Sequence, residues 1–299
     1  MVLSRSFQPH RDESFEELIE RGLKGSEFKK SRNGRLHASD VLCERKAVYD
    51  SNWEGEEIET PDKYHFIKGG MVSEEINKYS LKETASLLFD EYKMPDIGIN
   101  LGGRVDAIVH YKNKLWVVEM KQIGSLPTSP KKYHESQTML YSAITGLPAI
   151  LYYVDRKVIT PFPQTPSHRA FFLDSGYDNR FKYLSRAVKS NLYNESKLIP
   201  DKPIYLKKSW CPSHCKLKEV CWGGESFPSN DGLEGFMRAT VKQIKEIEVN
   251  GDKITKQLLN REVLKDRFNG VLSFLEKNSR HKITKQLLSG QEWDDYFYY

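Results

Sequence analysis

Long apolar runs are missing from this sequence. No stretch reaches the ~18 uncharged apolar residues of a membrane-spanning helix, so no span and no membrane partner are expected. The opening residues, MVLSRSFQPHRDESFEELIERG, carry no apolar h-region of a secretory signal. The expectation is an intracellular, cytoplasmic protein that is not secreted. Cysteine is scarce, with 4 in 299 residues, and in a reducing compartment these are not expected to form disulfides. A strong charge imbalance is also absent. The net charge of +5 permits a polyanionic partner without demanding one. No C2H2-finger or RRM signature appears, so any nucleic-acid recognition should rest on backbone and ends rather than base sequence.

What is present suits a globular α/β protein with one large domain or two smaller ones. Residues 1–34 are polar, with a short amphipathic helix expected over Ser14–Leu23. HASDVLCERKAVYD reads as a helix start capped by Ser39 or Asp40. Glu54–Tyr64 is acidic and loop-like. A helix is expected over Met71–Leu81, entered through Gly69-Gly70. Three strands follow, Ser86–Tyr92, Gly103–Tyr111 and Leu115–Ile123. KKYHESQTMLYSAITG is helical with Gly146 as its stop, PAILYYVD is an apolar strand, and Asn179–Leu192 is helical. After about Asp231 helical periodicity alternates with Asn/Gly breaks. KITKQLL occurs twice, at Lys253–Leu259 and Lys282–Leu288. Two copies do not make a solenoid; they read as a duplicated amphipathic segment or as a helix pair contacting DNA or a partner.

The stretch GRVDAIVHYKNKLWVVEMKQ puts three charges on apolar strands. Side chains alternate along a strand, so Glu119 and Lys121 share a face. A turn at Asn113-Lys114 sets Asp106 opposite Lys121, on that same face and one diagonal step from Glu119. A register shifted by one would send Asp106 to the other side. Two carboxylates and an amine at one point can hold Mg²⁺ or Mn²⁺, lower the pKa of a bound water and stabilise charge on a phosphate. The bland alternative is a cross-strand salt bridge. On the next helix Gln137 and Tyr141 are spaced i, i+4 and lie on one face.

The order Asp106, Glu119-Met120-Lys121, Gln137-x-x-x-Tyr141 resembles the PD-(D/E)xK nucleases of the RecB, AddB and Cas4 type. The resemblance covers roughly Leu36 to Trp222. It implies a restriction-endonuclease-like core, a central mixed β-sheet flanked by helices, and a Mg²⁺- or Mn²⁺-dependent deoxyribonuclease, expected to be an exonuclease. Asp106 and Glu119 would hold the metal, with the Met120 carbonyl as a further ligand. Lys121 would assist the attacking water, and Gln137 and Tyr141 would support the site. The family also has a G-x-x-x-H motif opening an upstream helix. Here Ser73 stands where its His would be, so Glu74 or Glu75 is the expected acidic substitute, with His65 a weaker candidate.

Cys211, Cys215 and Cys221 form C-x3-C-x5-C, and Cys43 lies far upstream. Four thiolates suit zinc or an iron–sulfur cluster, and zinc usually prefers paired knuckles. The pattern resembles the iron–sulfur members of the same family, which implies a [4Fe–4S] cluster; their triplet usually opens C-x2-C. Zinc, with His214 as a further ligand, and unligated cysteines are the alternatives. A staple from Cys43 to the triplet would close a loop around the nuclease core, by analogy with a long disulfide loop worth about 4–5 kcal/mol. Arg45 and Lys46 beside Cys43, and Lys207, Lys208, Lys216 and Lys218 beside the triplet, are expected phosphate contacts. Trp210 and Trp222 would serve there as stacking platforms or as packing. The tail EWDDYFYY is expected to dock on the protein's own core, to bind a partner protein or to imitate DNA.

The expected organisation is therefore an N-terminal polar segment (1–34), a nuclease domain with an iron–sulfur staple (35–225) and a helical C-terminal extension (226–299). DNA ends or single strands are the expected partner. Two rival readings are an inactive DNA-end-binding or scaffold subunit of the same fold, motivated by the missing His, and a zinc-stabilised interaction protein.

Overall fold

The structure, a computed structural model, describes residues 28–29, 34–52, 56–57, 61–83, 87–155, 168–200, 235–278, 288, 291–293 and 296. Its centre is a five-stranded mixed sheet in sequential order: β1 (Leu87–Lys93), β2 (Arg104–Tyr111), β3 (Lys114–Ile123), β4 (Ala149–Asp155) and β5 (His168–Leu173). Neighbours run antiparallel except β3 and β4, which are parallel. Six helices are described: α1 (Glu44–Ser51), α2 (Pro61–Glu83), α3 (Lys132–Thr145), α4 (Tyr177–Glu195), α5 (Val241–Leu258) and α6 (Arg261–Asn278). Parallel pairing needs a crossover, and α3 supplies it between β3 and β4. Two-residue strands pair Phe28–Lys29 with Glu56–Glu57, Leu36–His37 with Leu101–Gly102, and Leu198–Ile199 with Met237–Arg238. Among the described residues no helix is long and apolar enough to cross a membrane.

Each face of the sheet carries its own core, as strand alternation dictates. On one face Ile108 and Val117 join Leu140, Tyr141 and Ile144 of α3 and Leu184 and Val188 of α4. On the other, Ala107, Val109, Val118, Met120 and Ile150 pack with Leu81 of α2. The C-terminal extension joins the first core. Leu264, Phe268, Val271 and Leu275 follow one helical stripe of α6 and are fully buried there, with Leu288, Trp293 and Tyr296. Trp293 and Tyr296 therefore dock on the protein's own core. Asp294, Asp295 and Phe297 to Tyr299 lie outside the described residues, as do Ser14–Leu23 and, apart from Leu288, the second KITKQLL.

Several local expectations are corrected. Pro61 opens α2, as its fixed φ and missing N–H favour, and the helix runs straight through Gly69-Gly70 rather than starting there. The acidic stretch before it is only partly loop: Glu56–Glu57 form a strand and Pro61 to Tyr64 are helical. HASDVLCERKAVYD begins with a 3-10 turn over Ala38–Asp40, and the α-helix starts at Glu44 with Cys43 at its N-cap. The β2–β3 turn falls at Lys112-Asn113, whose φ values of 50° and 60° suit a two-residue type I′ hairpin. Tyr111 therefore pairs with Lys114, and the register is displaced by two residues from that expected. A shift of two preserves the face of every side chain. β5 has no counterpart in the sequence reading.

Candidate active site

The hairpin register, continued one step past Ala107↔Val118, sets Asp106 against Glu119. The Met120 backbone N–H donates to Asp106 Oδ2 at 2.7 Å, fixing the carboxylate between the two strands. Lys121 Nζ is ion-paired with Glu119 Oε1. Glu119 is 1% exposed, and its other oxygen, Oε2, is buried with no hydrogen-bond partner among the described residues. A buried carboxylate oxygen without a donor calls for a proton, which the raised Asp106 carboxyl beside it can share, or for a cation in its place.

Gly103, just before β2, lets this strand approach α3. A Cβ there would lie 2.3 Å from Met94 Cε, 3.1 Å from Ala38 Cβ and 3.3 Å from Tyr141 Cε1. On α3, Gln137 Nε2 donates to Tyr141 Oη at 2.8 Å, and both side chains are buried. The i, i+4 spacing thus yields a bonded pair behind the carboxylates. Gly146 ends α3 in the left-handed conformation at φ 78°, its N–H returning to the Ser142 carbonyl.

The electrostatics bind these groups into one unit. Burial drives the Asp106 carboxyl well above its usual range; the Glu119 and Glu74 charges add to this, while Lys121 and the Met120 N–H oppose it. Glu119 is also raised, first by burial, with Lys121 pulling the other way. Burial would lower Lys121, yet Glu119 and Asp106 outweigh it and hold the ammonium above its ordinary value. Tyr141 is raised by burial and then by the Glu119 charge, so its phenol stays protonated.

Between the two acidic candidates on α2 the structure separates sharply. Glu74 lies close enough to act on Asp106, Glu119 and Lys121. Glu75 is turned outward with its side chain 67% exposed, and its grouping is with Glu74 and Glu91 rather than with Asp106 and Glu119. Lys78, 1% exposed, holds Glu74 at 2.5 Å, Glu75 at 3.3 Å and Glu91 at 3.6 Å. Oxygens of these three acids lie within 4.8 Å of one another, and the Lys78 ammonium already serves them as a cation. His65 is helical, within α2.

The basic residues near Cys43 have partners within the protein. Arg45 is buried and donates to the Pro200 carbonyl at 2.9 Å. Lys46 is held between Asp40, at 2.8 Å, and Asp50. Cys43 is buried at the N-cap of α1. Cys211, Cys215, Cys221, His214, Lys207, Lys208, Lys216, Lys218, Trp210 and Trp222 lie outside the described residues.

Sequence reading passed over His134 and Tyr153. His134 lies three residues before Gln137, one helical turn away, which is the signal that could have drawn attention to it. Lys121 acts on His134 and on Tyr133. A cavity of about 530 Å³ lies on the α2 face of the sheet, lined among others by Asn77, Met120, Tyr152 and Phe172. It meets the site only at Met120, whose side chain points away from those of Glu119 and Lys121.

No protein-family model and no curated protein matches the chain. Among solved structures it is similar to the crystal structure of SSO0001, at 18% identity and a TM-score of 0.41, over 74% of this chain and 100% of that one. The sheet and its flanking helices establish a mixed α/β protein.

Proposed function

We propose that this protein is a Mg²⁺- or Mn²⁺-dependent deoxyribonuclease with a restriction-endonuclease-like core, working exonucleolytically on DNA ends or single strands. One observation carries the reading: Asp106, Glu119 and Lys121 converge on one sheet face, backed by the bonded pair Gln137–Tyr141. The donor set fits a hard cation, with two carboxylates and an unsatisfied Glu119 Oε2. Asp106, Glu119 and the Met120 carbonyl would hold it, with Glu74 at the rim. When bound, such an ion would lower the pKa of a coordinated water and neutralise phosphate charge. Lys121 keeps its positive charge and faces the developing negative charge at the phosphate. Gln137 and Tyr141 back the site as a buried, uncharged, hydrogen-bonded pair, with Tyr141 close enough to the carboxylates to feel their charge.

The iron–sulfur reading belongs to the same proposal. Cys43, buried ahead of α1, would join Cys211, Cys215 and Cys221 around a [4Fe–4S] cluster that serves as a staple; zinc is the alternative occupant. A second reading, an inactive DNA-end-binding subunit, draws on Ser73 at the expected His position and on the hold of Lys78 on Glu74. End-labelled single- and double-stranded DNA incubated with the protein separates the two. Shortening from the ends with Mg²⁺ or Mn²⁺, abolished by a chelator, is expected. Binding without shortening in either metal would favour the inactive subunit.

A further inference from the structure

His134 is neither a carboxylate of the site nor part of the Gln137–Tyr141 pair behind it. It sits in the first turn of α3 and is only 9% exposed. Its Nδ1 and the Tyr153 hydroxyl are 3.0 Å apart, and the same hydroxyl accepts the Lys131 backbone N–H at 3.0 Å. One phenol oxygen thus ties the residue before α3, the first turn of α3 and strand β4 together. Tyr153 is completely buried and pairs in register with Lys121 on β3. In a parallel pair, residues in register carry their side chains on the same face. The His134 and Tyr153 rings lie 5.4 Å apart, on the sheet face that carries Lys121 and near enough for its charge to act on His134. The titratable groups facing His134 are Lys121 from β3, Lys131 before α3, Tyr133 on its own helix and Tyr153 from β4. Burial, then Lys121 and Lys131, pulls the imidazole down to about 3. At working pH the ring is neutral, and a neutral ring can stand beside an ammonium without repelling it.

We propose that His134 and Tyr153 are a positioning pair for Lys121: a hydrogen-bonded, uncharged wall that confines the lysine ammonium to the side of Glu119 and Asp106. The consequence for cleavage rests on the nuclease reading; the confinement itself does not. A lysine side chain has several rotatable bonds, and its Glu119 partner alone fixes one end of that freedom. The wall removes the alternatives in which the amine swings towards β4.

The test uses His134→Phe, Tyr153→Phe, the double variant and His134→Asn in the full-length protein. Asn places Oδ1 where the imidazole has Nδ1 and so retains the bond to Tyr153. Chemical accessibility of Lys121 is read by acetic anhydride labelling and peptide mass spectrometry, with the 86%-exposed Lys242 as internal control. Faster labelling of Lys121 is expected in both Phe variants, no further increase in the double variant, and the wild-type rate in His134→Asn. In the cleavage assay the Phe variants should lose kcat on the order of 10–100-fold with KM unchanged, and His134→Asn should recover most of it. Wild-type labelling of Lys121 in both Phe variants, or faster labelling in His134→Asn equal to theirs, overturns the proposal. If labelling changes as expected while wild-type protein cuts no DNA, the positioning pair stands and the nuclease reading falls.

Discussion

Glu119 and Lys121 show how a buried strand can tolerate charge. The ion pair neutralises one carboxylate oxygen, Asp106 borrows the Met120 N–H, and Glu119 Oε2 is left over. Raised carboxyls mean that the metal-free protein binds more protons folded than unfolded, so its stability should fall as pH rises above the ordinary carboxylate range. A bound cation displaces those protons. Thermal melting across pH should therefore show stabilisation by Mn²⁺ that grows with pH; a pH-independent increment would argue against these ligands. His134 has the opposite sign. Its folded value of about 3 lies below its ordinary 6.5, so the folded state loses stability as pH falls from 6.5 towards 3. His134→Asn should flatten that part of the melting curve. At this scale the sequence was legible where alternation alone decides: Asp106, Glu119 and Lys121 share a face whichever way a two-residue shift falls. It was not legible where the partner is distant. Charge suggested phosphate contact for Arg45 and Lys46, but the Pro200 carbonyl and the Asp40 and Asp50 carboxylates claim them. The meaning of His134, on α3, depends on Tyr153, 19 residues later on strand β4.

The elements carrying the site are held at close quarters. Gly103, at the entry to β2, has no room for a side chain, because a methyl group would press on Met94, Ala38 and Tyr141 together. Gly103→Ala should destabilise the fold by about 1–3 kcal/mol and reduce cleavage, since Tyr141 stands behind Glu119. Urea unfolding checks the first effect; unchanged stability would mean that the Met94 side chain gives way. Hydrophobic alternation made the hairpin, α3 and β4 readable, because their patterns are those of a buried sheet and an amphipathic helix. The pattern could not fix the turn, since Lys112-Asn113 and Asn113-Lys114 differ little in composition. α2 was read too short because a glycine pair usually interrupts a helix, at about 1 kcal/mol per Gly relative to Ala. β5, with only six residues and an exposed-to-intermediate alternation, offered too weak an apolar signal.

Across the whole molecule, the C-terminal extension belongs to the core that supports the site. Tyr296 Oη accepts the Leu115 N–H at 2.7 Å, near the start of the strand that carries Glu119 and Lys121. Trp293 packs at Gly146, where α3 ends, and beside Phe268 of α6. Deleting Gln291–Tyr299 should therefore destabilise the protein by at least the ~3–5 kcal/mol of one buried aromatic. A melting temperature unchanged by the deletion would contradict docking. The aromatic density of the tail was visible in the sequence, but the surface that receives it is assembled from α3, α6 and β3 and could not be read from any one segment. Cys43 makes a second whole-chain prediction: anaerobically purified protein should show the visible absorption of a [4Fe–4S] cluster, and Cys43→Ser should lose it. Colourless protein containing one zinc per chain would reject the iron. The central claim is that the hairpin carries a metal-dependent phosphodiesterase site, and the most direct measurement compares wild-type and Glu119→Ala protein on end-labelled DNA in Mg²⁺ and Mn²⁺. The account predicts cleavage by the wild type and none by a folded Glu119→Ala variant; full metal-dependent cleavage by that variant would contradict it.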